Sequence, residues 1–203
     1  MTTTTYPNGQ VLTSSALTQA QINILVQALT CGALGINPVD VSQVRVDWQP
    51  TGQPGTALPS QDICYITCVT EDVRYSQVRD KTSQGDNSGP VTETWVYTRG
   101  WRFTWQLEGP NSTDRARQIH SSLFMDYFND QYALSELYQV LDPPEPVRIP
   151  VEHNAQWYDS SQFHCVFYEQ VTEVIQTPTV SSVEIKVYDG SVDDPIADVT
   201  VTS

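Results

Sequence analysis

The sequence predicts an α+β fold: a mixed, mainly antiparallel β-sheet with a long β-hairpin, flanked by two main helices. The clearest observation is an alternation of mostly apolar and mostly polar residues from Val91 to Leu107, which is typical of a long strand with one buried face. A second observation is helical spacing of apolar residues in two places, after Thr18 and after Asn111. A third is the alternation that returns in the last third of the chain.

The first predicted helix runs from Thr18 to about Leu34, with Gly32 or Gly35 ending it. No charged residue precedes Asp40, although a solvent-facing helix usually carries charges on its outer face. The neutral face therefore indicates either contact with another protein or a solvated, glutamine-rich surface. The predicted apolar stripe is Ala20, Ile24, Leu25 and Ala28, and the polar face is Gln19, Gln21, Asn23 and Gln27.

The remaining strands and loops follow from alternation and from proline and glycine. We expect strands over 41–48 and 63–69, and a hairpin between residues 62–79 and the long strand. Residues 49–60 and 80–90 are expected to be loops, the second a mobile tip, and the second helix to run to about Asn129. The predicted late strands are 163–168, 183–188 and 197–201.

These elements predict one main domain. We expect a flexible N-terminus over 1–15, a single α+β domain over 16–190, and an acidic C-terminal strand or tail over 191–203. The N-terminus lacks the basic and apolar segments of a signal peptide, and no apolar run approaches the roughly 20 residues of a membrane helix. We therefore expect a chain made in the cytoplasm, without membrane contact and with reduced cysteines.

The charge balance is strongly acidic, with 10 basic and 24 acidic residues and a net charge of −14. A protein that binds duplex DNA normally presents a basic face to the phosphates, and this sequence has no basic run. The balance argues against specific nucleic-acid binding and predicts repulsion of phosphate.

The sequence offers no convincing catalytic or metal-binding constellation. Cys64 and Cys68 could face one side of a strand and reach His164 or Cys165, but structural zinc sites favour tighter cysteine pairs, and buried core packing is the simpler interpretation. Motifs for nucleotide binding, zinc proteases and serine hydrolases are absent from the sequence. We predict no enzyme activity and no cofactor.

Two stretches carry a resemblance to a known family. One is the run from Arg99 to Pro110 (Arg-Gly-Trp-Arg-Phe-Thr-Trp-Gln-Leu-Glu-Gly-Pro) with the helix that follows. The other is Leu137-Tyr138, the proline-rich 142–146, and Asn154-Ala-Gln-Trp-Tyr158 before a long strand. Over about residues 40–190 this order resembles the tail-terminator or neck proteins of tailed bacteriophages.

The resemblance implies a structural virion protein with no catalytic residue. Members form a ring, commonly a hexamer, at the head-proximal end of the tail tube, where they stop tube polymerisation and join the tail to the head connector. The implied partners are other copies of the chain, the tail tube protein, a connector or stopper protein and possibly the tail sheath. DNA would pass through the ring unbound, and the protein would reside in the virion neck after assembly in the host cytoplasm.

Three other functions are open alternatives: another head–tail connector or tail-completion subunit, a small enzyme, or a carbohydrate-binding module. A small enzyme would be indicated by a pocket that joins His120, His153 or His164 to a carboxylate and a nucleophile. A carbohydrate-binding module would need Trp48 and Trp157 exposed on one face. The candidate interface residues are Gln19, Asn23, Gln27, Gln53, Lys81, Gln84, Asp86, Arg99, Arg102, Trp157, Tyr158, Val199 and Val201.

Overall fold

The computed structural model describes residues 1–37, 42–46, 60–71, 78–85, 90–125, 137–139, 143–153, 155–178, 182–187 and 197–202. Two helices lie in this part of the chain, α1 (Gln19–Leu34) and α2 (Ser112–Ser122). The strands are β1 (Thr2–Thr5), β2 (Val11–Ser14), β3 (Val44–Val46), β4 (Ile63–Glu71), β5 (Arg79–Gln84), β6 (Val91–Glu108), β7 (Leu137–Gln139), β8 (Val147–Arg148), β9 (Val151–His153), β10 (Gln156–Tyr158), β11 (Ser160–Thr177), β12 (Ser182–Val187) and β13 (Ala197–Thr202).

The predicted fold class is confirmed: the structure is α+β with a mixed, mostly antiparallel sheet. The main sheet has the order β1-β2-β11-β6-β4-β3, with β5 on β6 and with β7 and β8 on β11. One pair, β3 with β4, is parallel. The strands β9 and β10 form a separate hairpin, and so do β12 and β13.

The predicted long hairpin is present. Strand β6 pairs antiparallel with β4, which brings Ile66 opposite Trp105 and Glu71 opposite Gly100. Strand β5 also pairs with β6. Residues 80–84, which the sequence placed in a mobile loop, are therefore part of strand β5. The rest of that predicted loop, residues 86–89, lies outside the described residues.

Two compact units make up the chain. The larger contains residues 16–78 and 97–171, and the smaller contains residues 1–15, 79–96 and 172–203. Where the sequence predicted a flexible start, the structure has the hairpin β1–β2. The predicted division into an N-terminal segment (1–15), one domain (16–190) and a C-terminal segment (191–203) stays a prediction.

The hydrophobic core lies in the larger unit. The ring of Trp105 stacks on Phe163 with centroids 4.9 Å apart, and Phe103 packs on Phe167 at 5.0 Å. The Trp105 indole donates a 2.9 Å hydrogen bond to Thr30 Oγ1 on α1, so its polar atom is satisfied inside the core. The predicted buried phase of the long strand is thus confirmed for its second half, at Trp101, Phe103, Trp105 and Leu107.

Helix α1 begins and ends where the sequence predicted. Thr18 and Gln21 form a capping box, and Gly35 closes the helix in the left-handed region with φ of 64°. The predicted apolar stripe was rotated, however, since Ile24 is 66% exposed and Ala20 is exposed. The buried residues of α1 are Ile22, Val26, Leu29, Thr30, Cys31 and Ala33.

Helix α2 is held at its start by the carboxylate of Asp62, the residue that precedes β4. Asp62 accepts hydrogen bonds from the backbone N–H and side-chain amide of Asn111, both 2.9 Å, and pairs with Arg115 at 3.2 Å. A carboxylate is favourable there because helix N-termini carry unpaired N–H groups. The predicted end near Asn129 was too late: the helix stops at Ser122, and residues 123–125 are not helical.

Gly109 makes the approach of Asp62 possible. Its φ is +120°, and a Cβ there would lie 2.5 Å from the Gln61 carbonyl oxygen and 2.6 Å from an Asp62 carboxylate oxygen. Gly109 therefore follows the last residue of β6 at a position where only glycine leaves room for Gln61 and Asp62.

Replacement of Gly109 by alanine should destabilise the protein by more than the roughly 1–2 kcal/mol that left-handed strain alone costs. Two other glycines provide graded controls. Gly35→Ala should cost about the strain alone, because φ is +64° and no atom lies within 4 Å, and Gly85→Ala should change little, because its nearest contact is an ordinary 3.4 Å. Urea unfolding followed by tryptophan fluorescence measures the series, and equal midpoints for all three variants would contradict this role for Gly109.

Candidate interaction surfaces

The exposed face of α1 combines apolar and neutral polar groups. Ile24 and Ala20 lie on the surface together with Gln19 and Gln21, and the whole helix contains no charged residue. Sequence reasoning predicted a neutral face but assigned Ile24 to the core. The face therefore lacks the charged residues that are depleted at the centres of protein interfaces.

The three candidate residues on α1 differ in their surroundings. Gln19 is exposed and donates to Asn23 at 2.9 Å, so these two side chains form a polar pair along the helix. Gln27 is half-buried, and its amide donates a 2.8 Å hydrogen bond to the Val44 carbonyl, which ties α1 to β3. Gln19 and Asn23 thus border the surface, while Gln27 supports the helix from within.

Arg99 is engaged inside the larger unit by Glu169, which is 2% exposed. The Glu169 carboxylate accepts from Arg99 Nε at 2.9 Å and Nη2 at 2.6 Å, from the Trp101 indole at 2.9 Å and from the Leu17 backbone N–H at 2.6 Å. Arg99 also donates to the Leu17 carbonyl at 2.6 Å and lies 4.6 Å from the centre of the Trp101 ring. This geometry gives Arg99 a structural role between the start of α1, β6 and β11.

Arg102 lies three residues later on the same strand and is much more open. It pairs with Glu71 on β4, and the arginine side chain is 46% exposed. An exposed pair of this kind contributes little to stability and leaves the arginine available to a partner.

The hairpin β9–β10 presents one aromatic ring to the surface. Trp157 is 70% exposed, whereas the neighbouring Tyr158 is 7% exposed and lies in the interior. Alternation along β10 explains the contrast, because adjacent side chains of a strand point to opposite faces. Trp48, which a carbohydrate-binding surface would require beside Trp157, lies outside the described residues.

The remaining candidates lie in the smaller unit or outside the described part of the chain. Lys81 on β5 pairs with Glu93 at 2.8 Å and lies 5.2 Å from the Trp95 ring centre, and its hydrogen bond lowers the pKa of Glu93. Gln84 is exposed at the end of β5. Val199 and Val201 belong to β13, opposite Ile185 and Val183 of β12. Gln53 and Asp86 lie outside the described residues.

The histidine and cysteine side chains that the structure describes do not assemble into a chemical site. His120 is buried, lies 3.1 Å from the Pro143 carbonyl through Nε2 and packs edge-on against Phe163 and Phe124. Burial raises the pKa of the Cys165 thiol to about 12, which keeps it protonated and unreactive at neutral pH. In the described part of the chain, no three His, Cys, Asp or Glu side chains cluster as metal ligands would.

One cavity of about 330 Å³ lies in the larger unit between β3, the start of β4 and α2. Arg45, Asp62 and Arg115 line it together with serine, glutamine and isoleucine side chains, and Asp62 and Arg115 are already paired with each other. The lining contains no histidine or cysteine, so this cavity does not bring His120, His153 or His164 to a carboxylate.

Comparison with known proteins gives a family match. A sequence profile for the family described as phage neck terminator protein matches residues 20–195. A search of curated proteins found no significant match. Among the described residues, neither helix has the length and apolar character needed to cross a bilayer.

Replacement of Glu169 by glutamine should destabilise the protein by roughly 3 kcal/mol, because it leaves the Arg99 guanidinium without its buried counter-charge. Glu71→Gln is the matched control, since it removes the carboxylate that pairs with the exposed Arg102, which lies on β6 as Arg99 does. This change should cost about 0–1 kcal/mol. Chemical unfolding of both variants provides the comparison. A smaller loss for Glu169→Gln than for Glu71→Gln would refute the structural role of the buried pair.

Proposed function

Because the chain belongs to the phage neck terminator family, we propose that it forms a ring, most simply a hexamer, at the head-proximal end of the tail tube. In this position it would stop tube polymerisation and join the tail to the head connector or stopper protein. The family match over residues 20–195 is the observation that carries the proposal. The protein is accordingly a structural component of the phage neck, and its proposed role is to bind neighbouring proteins through its surface.

The surfaces of the larger unit are consistent with such a role. The face of α1 is uncharged and includes the exposed Ile24, and the centres of protein interfaces are poor in charged residues. The exposed ring of Trp157 is of a type enriched among the residues that contribute most to binding. The proposed partners are other copies of the chain, the tail tube protein and the connector, with the tail sheath as a further neighbour in contractile tails.

The charge of the protein also supports a passive relation to DNA. A net charge of −14 per subunit would give a ring a strongly negative field, which repels the phosphate backbone of a passing genome. We therefore propose that DNA passes through the ring without specific contacts, and that the protein resides in the virion neck after assembly in the host cytoplasm.

Native mass spectrometry of the purified chain, alone and mixed with the tail tube protein, tests the ring. We expect a closed oligomer of one defined size, alone or once tube protein is present, because a ring that caps the tube would contact several tube subunits at once. A chain that stays strictly monomeric under both conditions would refute the proposal.

A charge placed on the α1 face should weaken assembly. Ile24→Glu should keep the fold, because the side chain is 66% exposed, and should lower the fraction of chain found in rings or bound to the tube. Val78→Glu is the matched control, with a 63% exposed aliphatic side chain outside α1. Equal assembly of the two variants would show that the α1 face is not a contact surface.

A further inference from the structure

The smaller unit shows no hydrophobic core among the residues whose burial is described. Among its residues whose burial is described (1–15, 79–85, 90–96 and 172–178), none is buried, whereas the larger unit contains a continuous hydrophobic core. Burial of apolar surface is the main term that stabilises folded chains. Strands whose apolar side chains are not buried within their own unit gain stability when another protein surface covers them.

Several described strands of the smaller unit pair on one side only, and β1 and β13 are the two of these that carry the fewest charged residues. Of the strands described, β1 pairs only with β2 and ends the strand order of the main sheet. Within the same described set, β12 and β13 pair only with each other, in a sheet of two strands. Strand β12 carries Glu184 and Lys186, charges that discourage a further strand, so β13 is the less protected edge of this hairpin. A two-stranded hairpin is marginally stable in water, so β12–β13 would gain from a third strand.

The edge of β1 lacks the usual protection against pairing. Natural sheet edges commonly carry lysine, proline or a bulge, which discourage a further strand. Strand β1 is Thr2-Thr3-Thr4-Thr5, all four exposed, and threonine favours extended backbone. It contains neither a charged residue nor a proline.

The hydrogen-bond pattern shows which backbone groups face outward. Tyr6 N–H donates to the Gln10 carbonyl at 2.8 Å, and these residues continue the register in which Thr4 lies opposite Leu12 and Thr2 opposite Ser14. Because inward and outward groups alternate along an antiparallel pair, Thr2 and Thr4 face β2. The N–H and C=O groups of Thr3 and Thr5 therefore point away from β2, towards the open edge.

We propose that β1 of one copy pairs with β13 of a second copy, so that the two sheets become continuous across the contact. The proposal rests on the ring described above and names the contact that links its subunits. The absence of charge on β1 reduces the repulsion between two copies of an acidic chain. No charged side chain precedes Asp40, so β1 places no negative charge beside Asp198 of the partner strand. Because β1 and β13 are different strands, the contact is head-to-tail, which is the type that closes a ring.

Proline substitution at the two outward positions tests the pairing. Thr3→Pro combined with Thr5→Pro removes two outward N–H donors and leaves the donors that face β2 in place. Thr3→Val combined with Thr5→Val is the matched control, because it keeps both N–H groups and the preference for strand. Native mass spectrometry should show subunit association weakened about tenfold or more in the proline variant and unchanged in the valine variant.

The outcomes separate this proposal from the proposed function. A wild-type chain that never assembles refutes the ring. A wild-type ring together with an equally stable ring of the proline variant overturns the β1 contact and leaves the ring intact.

Hydrogen exchange on the wild-type chain gives a test that does not depend on whether the proline variant folds. The amides of Thr3 and Thr5, and the β13 segment, should exchange more slowly in the assembled protein than in the monomer obtained by dilution. Unchanged exchange at Thr3 and Thr5 would overturn the proposal. Protection of β1 without any protection of β13 would overturn the assignment of β13 as the partner strand.

Discussion

The larger unit depends on one buried carboxylate. Glu169 lies on β11 and receives four hydrogen bonds from three places: the residue before the α1 cap, Arg99, and the Trp101 indole on β6. A buried charge is costly unless both oxygens are satisfied and a counter-charge is near, and here both conditions are met. The entry of α1 and the neighbouring strands β6 and β11 are thereby fixed to one another, at the place where the two longest strands approach the end of the core.

Beyond that place, the same two strands continue without burial. The buried alternation of β6 covers Trp101 to Leu107, while Val91 to Val96 belong to the smaller unit and stay exposed or half-buried. Strand β11 changes in the same way after Val171. A strand that keeps its apolar residues but finds no cover within its own unit is a natural place for contact between molecules. This is why the proposed assembly depends on edges and faces and needs no pocket.

The sequence predicted the elements whose signals are local. Alternation located β6, and Thr18 and Gly35 located the two ends of α1, because capping and period-two burial depend on neighbours in sequence. It also predicted the family, from the spacing of aromatic and proline residues across the chain. The sequence did not predict which face of α1 is buried, because a helix without charged residues has no clearly polar face that marks the solvent side. The Glu169 cluster was missed as well, since its partners are separated by up to 152 residues and no local pattern pairs them.

The central claim is that this protein acts through contacts between folded surfaces at the phage neck. Cryo-electron microscopy of intact particles tests it most directly, with a reconstruction of the junction between head and tail. The account predicts a closed ring of this chain at the head-proximal end of the tail tube, with an open channel along its axis. Density for the chain elsewhere in the particle, or none in the neck, would contradict it.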